Sequence, residues 1–202
     1  MAIQVRSLGK DMAEAYLRYF DDSAFSDGNP EKGCYCVWHH WTDRHERERS
    51  LMPEDQRPHC KRNLARSLIE RGVLNGFAAF DGERMVGFCN ADAKERYFRL
   101  SRENNPDSWT GLRGDERTLA IVCYIVAPDM RGRGIAKALL DAACRAAQER
   151  GYDLVEGYPA PGEFSARHCG GSLSMYVNAG FEIVDVPHGV VARKRLRAKE
   201  ST

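Results

Sequence analysis

The chain has 202 residues, 43% of them hydrophobic and 29% charged, enough for one ample domain or at most two very small ones. Lys plus Arg (30) nearly balances Asp plus Glu (29), so no global field points to nucleic acid or to a membrane, and any anion site has to be local. The first twenty residues hold no apolar signal core, and no run reaches the ~18 apolar residues of a membrane span. The seven cysteines fit reduced thiols in a cytoplasmic protein better than a disulfide framework.

In chain order, residues 3–8 read as a short strand. Met12, Ala15, Tyr16, Tyr19 and Phe20 recur at helical spacing over 11–20. A loop rich in Asp, Gly and Asn covers 21–32, and an aromatic, cysteine-rich stretch covers 34–41. Leu64, Leu68 and Ile69 mark one face of a helix over 57–71 that stops at Gly72. Two β-rich runs, 73–80 and 85–91, flank Asp81-Gly82, a hairpin signal. The polar stretch 94–115 reads as a long surface connection. Residues 118–126 (TLAIVCYIV) have the uniform apolarity of a strand buried on both faces. A helix over 134–150, a strand over 153–158, a short helix over 172–179 and two strands, 181–186 and 190–196, complete the order. The alternation predicts a mixed α/β domain: a twisted mixed sheet flanked by helices.

The informative stretch is Val126-Ala-Pro-Asp-Met-Arg131-Gly132-Arg133-Gly134-Ile135-Ala136, between a buried strand and an Ala-rich helix. A turn in that position leaves the first N–H groups of the helix unpaired, and their dipole favours an anion. Gly132 and Gly134 let backbone approach a ligand closely, and Arg131 and Arg133 add charged donors. The bland alternative is a solvated basic turn capping a helix. No Gly-x-x-x-x-Gly-Lys-Ser/Thr loop and no Gly-x-Gly-x-x-Gly fingerprint occurs in the chain.

Val-x-Pro-x-x-Arg-Gly-x-Gly-x-Ala followed by a Leu-Leu helix resembles the acetyl-CoA-binding motif of the GNAT superfamily of N-acetyltransferases. Tyr176-Val-Asn-Ala-Gly180-Phe181 resembles a second signature of that family. The likeness covers about 76–196 and is weaker before it. It implies the GNAT fold over a single domain, 1–202, with 1–72 forming the acceptor side. It implies acetyl-CoA as co-substrate, no metal, and direct attack by an amine, with a backbone N–H polarising the thioester oxygen. Tyr124, Ile125 and Val126 would meet the pantetheine arm. Arg131, Gly132, Arg133, Gly134, Ile135 and Ala136, with Lys137 close by, would cradle the pyrophosphate. Tyr176 would protonate the leaving thiolate, a suitable task for a phenol with pKa near 10. A small-molecule amine leads as acceptor, ahead of a peptide or protein amine. A non-catalytic acyl-CoA sensor is the alternative of a different class. The expected state is a monomer or homodimer, with no nucleic-acid or membrane partner.

The chain departs from the family pattern at two positions. Ala120 stands where many relatives have a Glu on the central strand, which leaves Asp115, Glu116, Glu156 and Glu163 open as proton acceptors. Cys169 stands where an Asn is usual.

Other segments admit several readings. Cys34-x-Cys36-x-x-His39, with His45, His59 or Cys60, supplies soft ligands of a zinc kind, though the spacing matches no common pattern. A strand here would point both thiols to one face. The competing readings are a wall of the acceptor pocket and plain core packing. Cys123 and Cys144 read as small core hydrophobes. His168 and Cys169 are adjacent without a shared motif. The basic run 193–199 alternates like an exposed edge strand with a charged tail.

Overall fold

The computed structural model describes residues 3–29, 31–113, 115–159, 169–187 and 189–196. Seven strands form one sheet: β1 (Gln4–Ser7), β2 (Gly76–Asp81), β3 (Arg84–Ala93), β4 (Thr118–Val126), β5 (Leu154–Gly157), β6 (Glu182–Val186) and β7 (Gly189–Arg195), in the order β1-β2-β3-β4-β5-β7-β6. Only β4 and β5 run parallel among these pairs. The five α-helices among the described residues are α1 (Ala13–Arg18), α2 (Asp43–Leu51), α3 (Cys60–Glu70), α4 (Ile135–Glu149) and α5 (Leu173–Asn178).

Period-two alternation along β3 decides what covers each face. Phe88 and Asn90 meet Tyr16, Phe20 and the 34–41 segment, while Gly87 and Cys89 meet α4. The inner face of α4 is Leu139, Leu140, Ala143 and Ala147, all fully buried. Its small residues bring helix and sheet close enough that a Cβ on Gly87 would lie 2.9 Å from Ile135 Cγ2.

β4 is the hinge of the architecture. It pairs with β3 along its length, but the register slips between Asn90 and Ala91, leaving Val122 as the extra residue of a bulge. On its other side it pairs with β5 only from Thr118 to Ile121. Beyond that point the two strands part.

In the 34–41 segment Tyr35 and Cys36 both adopt φ 47°, and Trp38–His40 is a 3-10 turn. Three expectations need correction. The connection over 94–113 does not lie wholly on the surface, because Lys94, Leu100, Ser108 and Trp109 are buried in short 3-10 turns. β7 is no edge strand; it lies between β5 and β6, and Arg193 is buried in an ion pair. α2 was not expected at all, since it buries no residue and carries no apolar face to read. Thr42 caps it by accepting from His45 N–H.

Candidate active site

A cleft of about 530 Å³ opens beside the unpaired half of β4. Tyr124, Ile125, Val126, Arg131, Gly132, Gly134, Ile135, Ala136 and Lys137 all line it. Arg133, expected with them, is exposed and lies outside the lining. Gly132 (φ 74°) and Gly134 (φ 77°) turn the chain into α4, in a backbone region other residues avoid. A Cβ built on either would meet nothing within 4 Å, so the backbone is open to a close-lying ligand. The first helical bond runs from Ala138 N–H to Gly134 O, which leaves the N–H groups of Ile135, Ala136 and Lys137 without helical partners. These residues fit an anionic pyrophosphate.

The charges at the rim are partnered. Arg131 Nη1 is 2.6 Å from Asp27 Oδ2, and its Nε donates to the Val126 carbonyl at 3.3 Å. Hydrogen bonding from Arg131 holds the Asp27 carboxyl below its usual range. Lys137 pairs with Asp141. Phe25 and Asn29 close the cleft from the N-terminal side, and Gly171, Ser172, Ser174 and Met175 from the α5 side. These carried no motif, and only their fold neighbourhood could have identified them.

Tyr176 sits behind that wall. It is fully buried, and its hydroxyl donates to the Gly170 carbonyl at 3.0 Å. Its ring packs against Tyr124 (centroids 6.3 Å apart) and Phe181 (5.1 Å). It presses on Gly157, where a Cβ would lie 2.2 Å from the Tyr176 hydroxyl oxygen. Burial raises the pKa of this phenol and that of Tyr124, whose buried hydroxyl lacks a hydrogen-bond partner among the described residues.

Across β4, on the face that carries α1, lies a second cleft of about 300 Å³. Its walls include Cys34, Trp38 and His39 from the N-terminal segment, Val122 and Cys123 from the bulge, and Tyr158 beyond β5. Cys169 lines both clefts, and its carbonyl accepts the Tyr124 N–H at 2.5 Å. Burial lowers the pKa of His39 to about 4, which keeps its ring neutral at pH 7.

The candidate proton acceptors separate cleanly. Asp115 is exposed, Glu116 pairs with Arg113 and Arg195, and neither lines a cleft. Glu163 and His168 lie outside the described residues, as do the end of the basic run (197–199) and the Pro161-Gly162 loop. Glu156 is fully buried, accepts from the Tyr158 hydroxyl at 2.9 Å, and is the cross-strand partner of Ala120. A carboxylate missing from β4 therefore stands one strand over. His45, His59 and Cys60 line a separate groove between α2 and α3 and do not join Cys34, Cys36 or His39. Among the described residues no group of three or more His, Cys, Asp or Glu is arranged to hold a metal ion, and no helix is long and apolar enough to cross a membrane.

Among solved structures the chain is similar to PaiA N-acetyltransferase from Thermoplasma acidophilum in complex with coenzyme A (TM-score 0.55, 14% identity, covering 97% of this chain and 100% of that one). It is similar also to the Drosophila melanogaster polyamine N-acetyltransferase (0.56, 13%, 96% and 100%) and to the mosquito arylalkylamine N-acetyltransferase like 5b (0.57, 14%, 96% and 100%). At these identities the likeness is one of fold. No curated protein sequence matches. The model of the Acetyltransferase (GNAT) family matches residues 35–160, more than half of the chain and the part that holds both β4 and the glycine turn. The chain therefore belongs to the GNAT family: it is an acyltransferase whose co-substrate is acetyl-CoA.

Proposed function

We propose that the chain transfers an acetyl group to the amine of a small molecule by direct attack. The observation that carries this reading is the second cleft. At about 300 Å³ it is at the small end of ligand sites, and it meets the donor cleft across the bulged half of β4. Trp38, Tyr158 and a neutral His39 give it an aromatic lining suited to a compact amine rather than to a folded protein. Two of the similar structures are named for small amines, a polyamine and an arylalkylamine.

In this reading residues 1–202 act as a single acetyltransferase domain, with 1–72 supplying the acceptor side. Acetyl-CoA supplies the activated acyl group and a thiol leaving group. The chain's own residues position and move protons. Gly132, Gly134 and the free N–H groups of Ile135, Ala136 and Lys137 hold the pyrophosphate, aided by Arg131. The outward edge of Tyr124–Val126 aligns the pantetheine arm. Tyr158 receives the amine's proton and passes its own to Glu156, the carboxylate beside Ala120. Tyr176, kept protonated by burial, is the donor to the thiolate.

The test is calorimetric titration of acetyl-CoA into the wild type and Gly134→Glu, followed by an amine screen read as thiol release. Saturable binding lost in the variant, with amine-dependent release, is the expected outcome. Binding without release by any small amine, but with release by peptide amines, would overturn the small-molecule reading. Tyr176→Phe should keep binding and lose turnover; unchanged turnover would remove Tyr176 from the reaction.

A further inference from the structure

Four of the seven cysteines, Cys34, Cys36, Cys123 and Cys169, gather from three separate segments at the acceptor cleft. Sequence alternation explains one of them, since Cys123 lies on β4 opposite Asn90. It does not explain why a loop bends to meet it. Tyr35 and Cys36 both take the left-handed conformation, φ 47°, which residues with a Cβ rarely adopt. Side chains from the core hold that bend. Tyr16 Oη donates to the Tyr35 carbonyl (2.9 Å), and Asn90 Nδ2 donates to the Cys36 carbonyl (2.9 Å). Asn90 is itself fixed by the Tyr97 hydroxyl (2.7 Å). The result brings Cys36 Sγ to 2.7 Å from Cys123 Sγ.

That separation distinguishes the chemistry available. Two thiolates on one tetrahedral zinc, each at ~2.3 Å from the metal, would stand well over 3 Å apart. A disulfide needs ~2.05 Å, so closing it moves each sulfur by a few tenths of an ångström. Burial raises the Cys36 thiol's pKa, whereas hydrogen bonds from Cys169 and Cys36 favour the thiolate of Cys123. Both residues line the acceptor cleft although they are only 3% and 6% exposed.

We propose that Cys36 and Cys123 are a redox-active dithiol, oxidised by peroxide to a disulfide that fastens the acceptor-side segment to the central strand. Cys123 thiolate attacks one peroxide oxygen, forming S–O as O–O breaks, and hydroxide leaves and takes a proton to become water. Cys36 sulfur then attacks the sulfenic sulfur, forming S–S as S–O breaks, and the second water leaves with the thiol proton. Two thiols lose two electrons and hydrogen peroxide gains them. The proposal is independent of which amine the cleft accepts.

The experiment is treatment of the reduced full chain with stoichiometric hydrogen peroxide, read by thiol titration under denaturing conditions and by peptide mapping. The expected result is a fall from seven free thiols to five, a mass loss of about 2 Da, a peptide joining Cys36 to Cys123, and full recovery with dithiothreitol. Cys36→Ser and Cys123→Ser should each abolish the loss, while Cys89→Ser, a buried thiol on the α4 face, should leave it intact. A thiol count unchanged by peroxide, a different linked pair, or a protein isolated with stoichiometric zinc on these thiols would overturn the proposal. The peptide map of the wild type decides even where a variant fails to fold.

Discussion

Replacing Glu156 by Gln tests the buried charge network next to Tyr158. Glu156 and Lys94 are both fully buried, with Lys94 Nζ 2.5 Å from Glu156 Oε2 and 2.6 Å from the Ser108 carbonyl. Arg193 Nε lies 2.6 Å from Glu156 Oε1, so two cations share one carboxylate. Gln preserves volume and can still accept from Tyr158, but leaves both cations without a counter-charge. Breaking a buried pair in this way costs about 3–5 kcal/mol. For a chain of this size that is a fall in Tm of roughly 6–20 °C. The pH dependence supplies a second signature. Burial lowers the Lys94 pKa below its ordinary 10.5, and Glu156 opposes that shift. Without the carboxylate the folded pKa drops further. A base with a depressed folded pKa contributes stability present above its unfolded value and lost as pH falls through the folded one. The variant's deficit should therefore shrink as pH rises toward 10. Thermal unfolding at pH 7 and pH 9.5, with Glu156→Gln/Lys94→Met as a partial rescue, reads both effects. A loss below 1 kcal/mol at pH 7, or an equal loss at both pH values, would refute the reasoning.

Gly157→Ala should destabilise the fold by about 1–3 kcal/mol in urea titration, because its Cβ would sit 2.2 Å from Tyr176. Asp27→Asn frees Arg131 and should tighten acetyl-CoA binding a few-fold in low-salt calorimetry, with the gain fading as salt rises. Tyr158→Phe severs the cleft from Glu156 and should lower kcat by on the order of 10²-fold with little change in KM; an unchanged kcat would remove Tyr158 from the proton path. His39 and His40 titrate near 4 when folded because burial disfavours their charge. Their stabilising effect is thus present above about 6.5 and lost as pH falls through 4, and His40→Leu should flatten that acid slope in stability measurements.

The strand–turn–helix junction of the proposed donor side was legible because local rules and tertiary placement agree there. A uniformly apolar β4, two glycines at positive φ and an alanine-faced helix each specify the same strand–turn–helix junction, and nine of the ten expected cofactor residues line its cleft. The rest was opaque for the opposite reason. The loop that lines the second cleft is bent against its own preference by Tyr16 and Asn90; elsewhere α2 is charged with no apolar period, and the connection after β3 buries a lysine against a distant glutamate. Lys94 read as solvated because only its neutralisation by Glu156, 62 residues away, makes burial possible. Arg193 misled in the same way, since alternation of charge along β7 resembles an edge until a buried carboxylate faces it.

Both clefts follow from one irregularity in the sheet. The bulge at Val122 shifts β4 just where its pairing with β5 ends, after Ile121 and Gly157. Gly157 has no Cβ, so Tyr176 fills the α4 face there, while Glu156, one residue earlier, points to the other face with Tyr158. β-Strand alternation thus assigns the proton donor and the proton acceptor of the proposed reaction to opposite faces of the same short strand. Between them Cys169 passes through the gap, its carbonyl on Tyr124 and its side chain at the wall shared by the two clefts. A regular, fully paired β4–β5 ladder would close this opening and leave donor and acceptor on separate sides of a continuous sheet. In the proposed reaction, the parting of the two strands is what lets a thioester on one face meet an amine on the other.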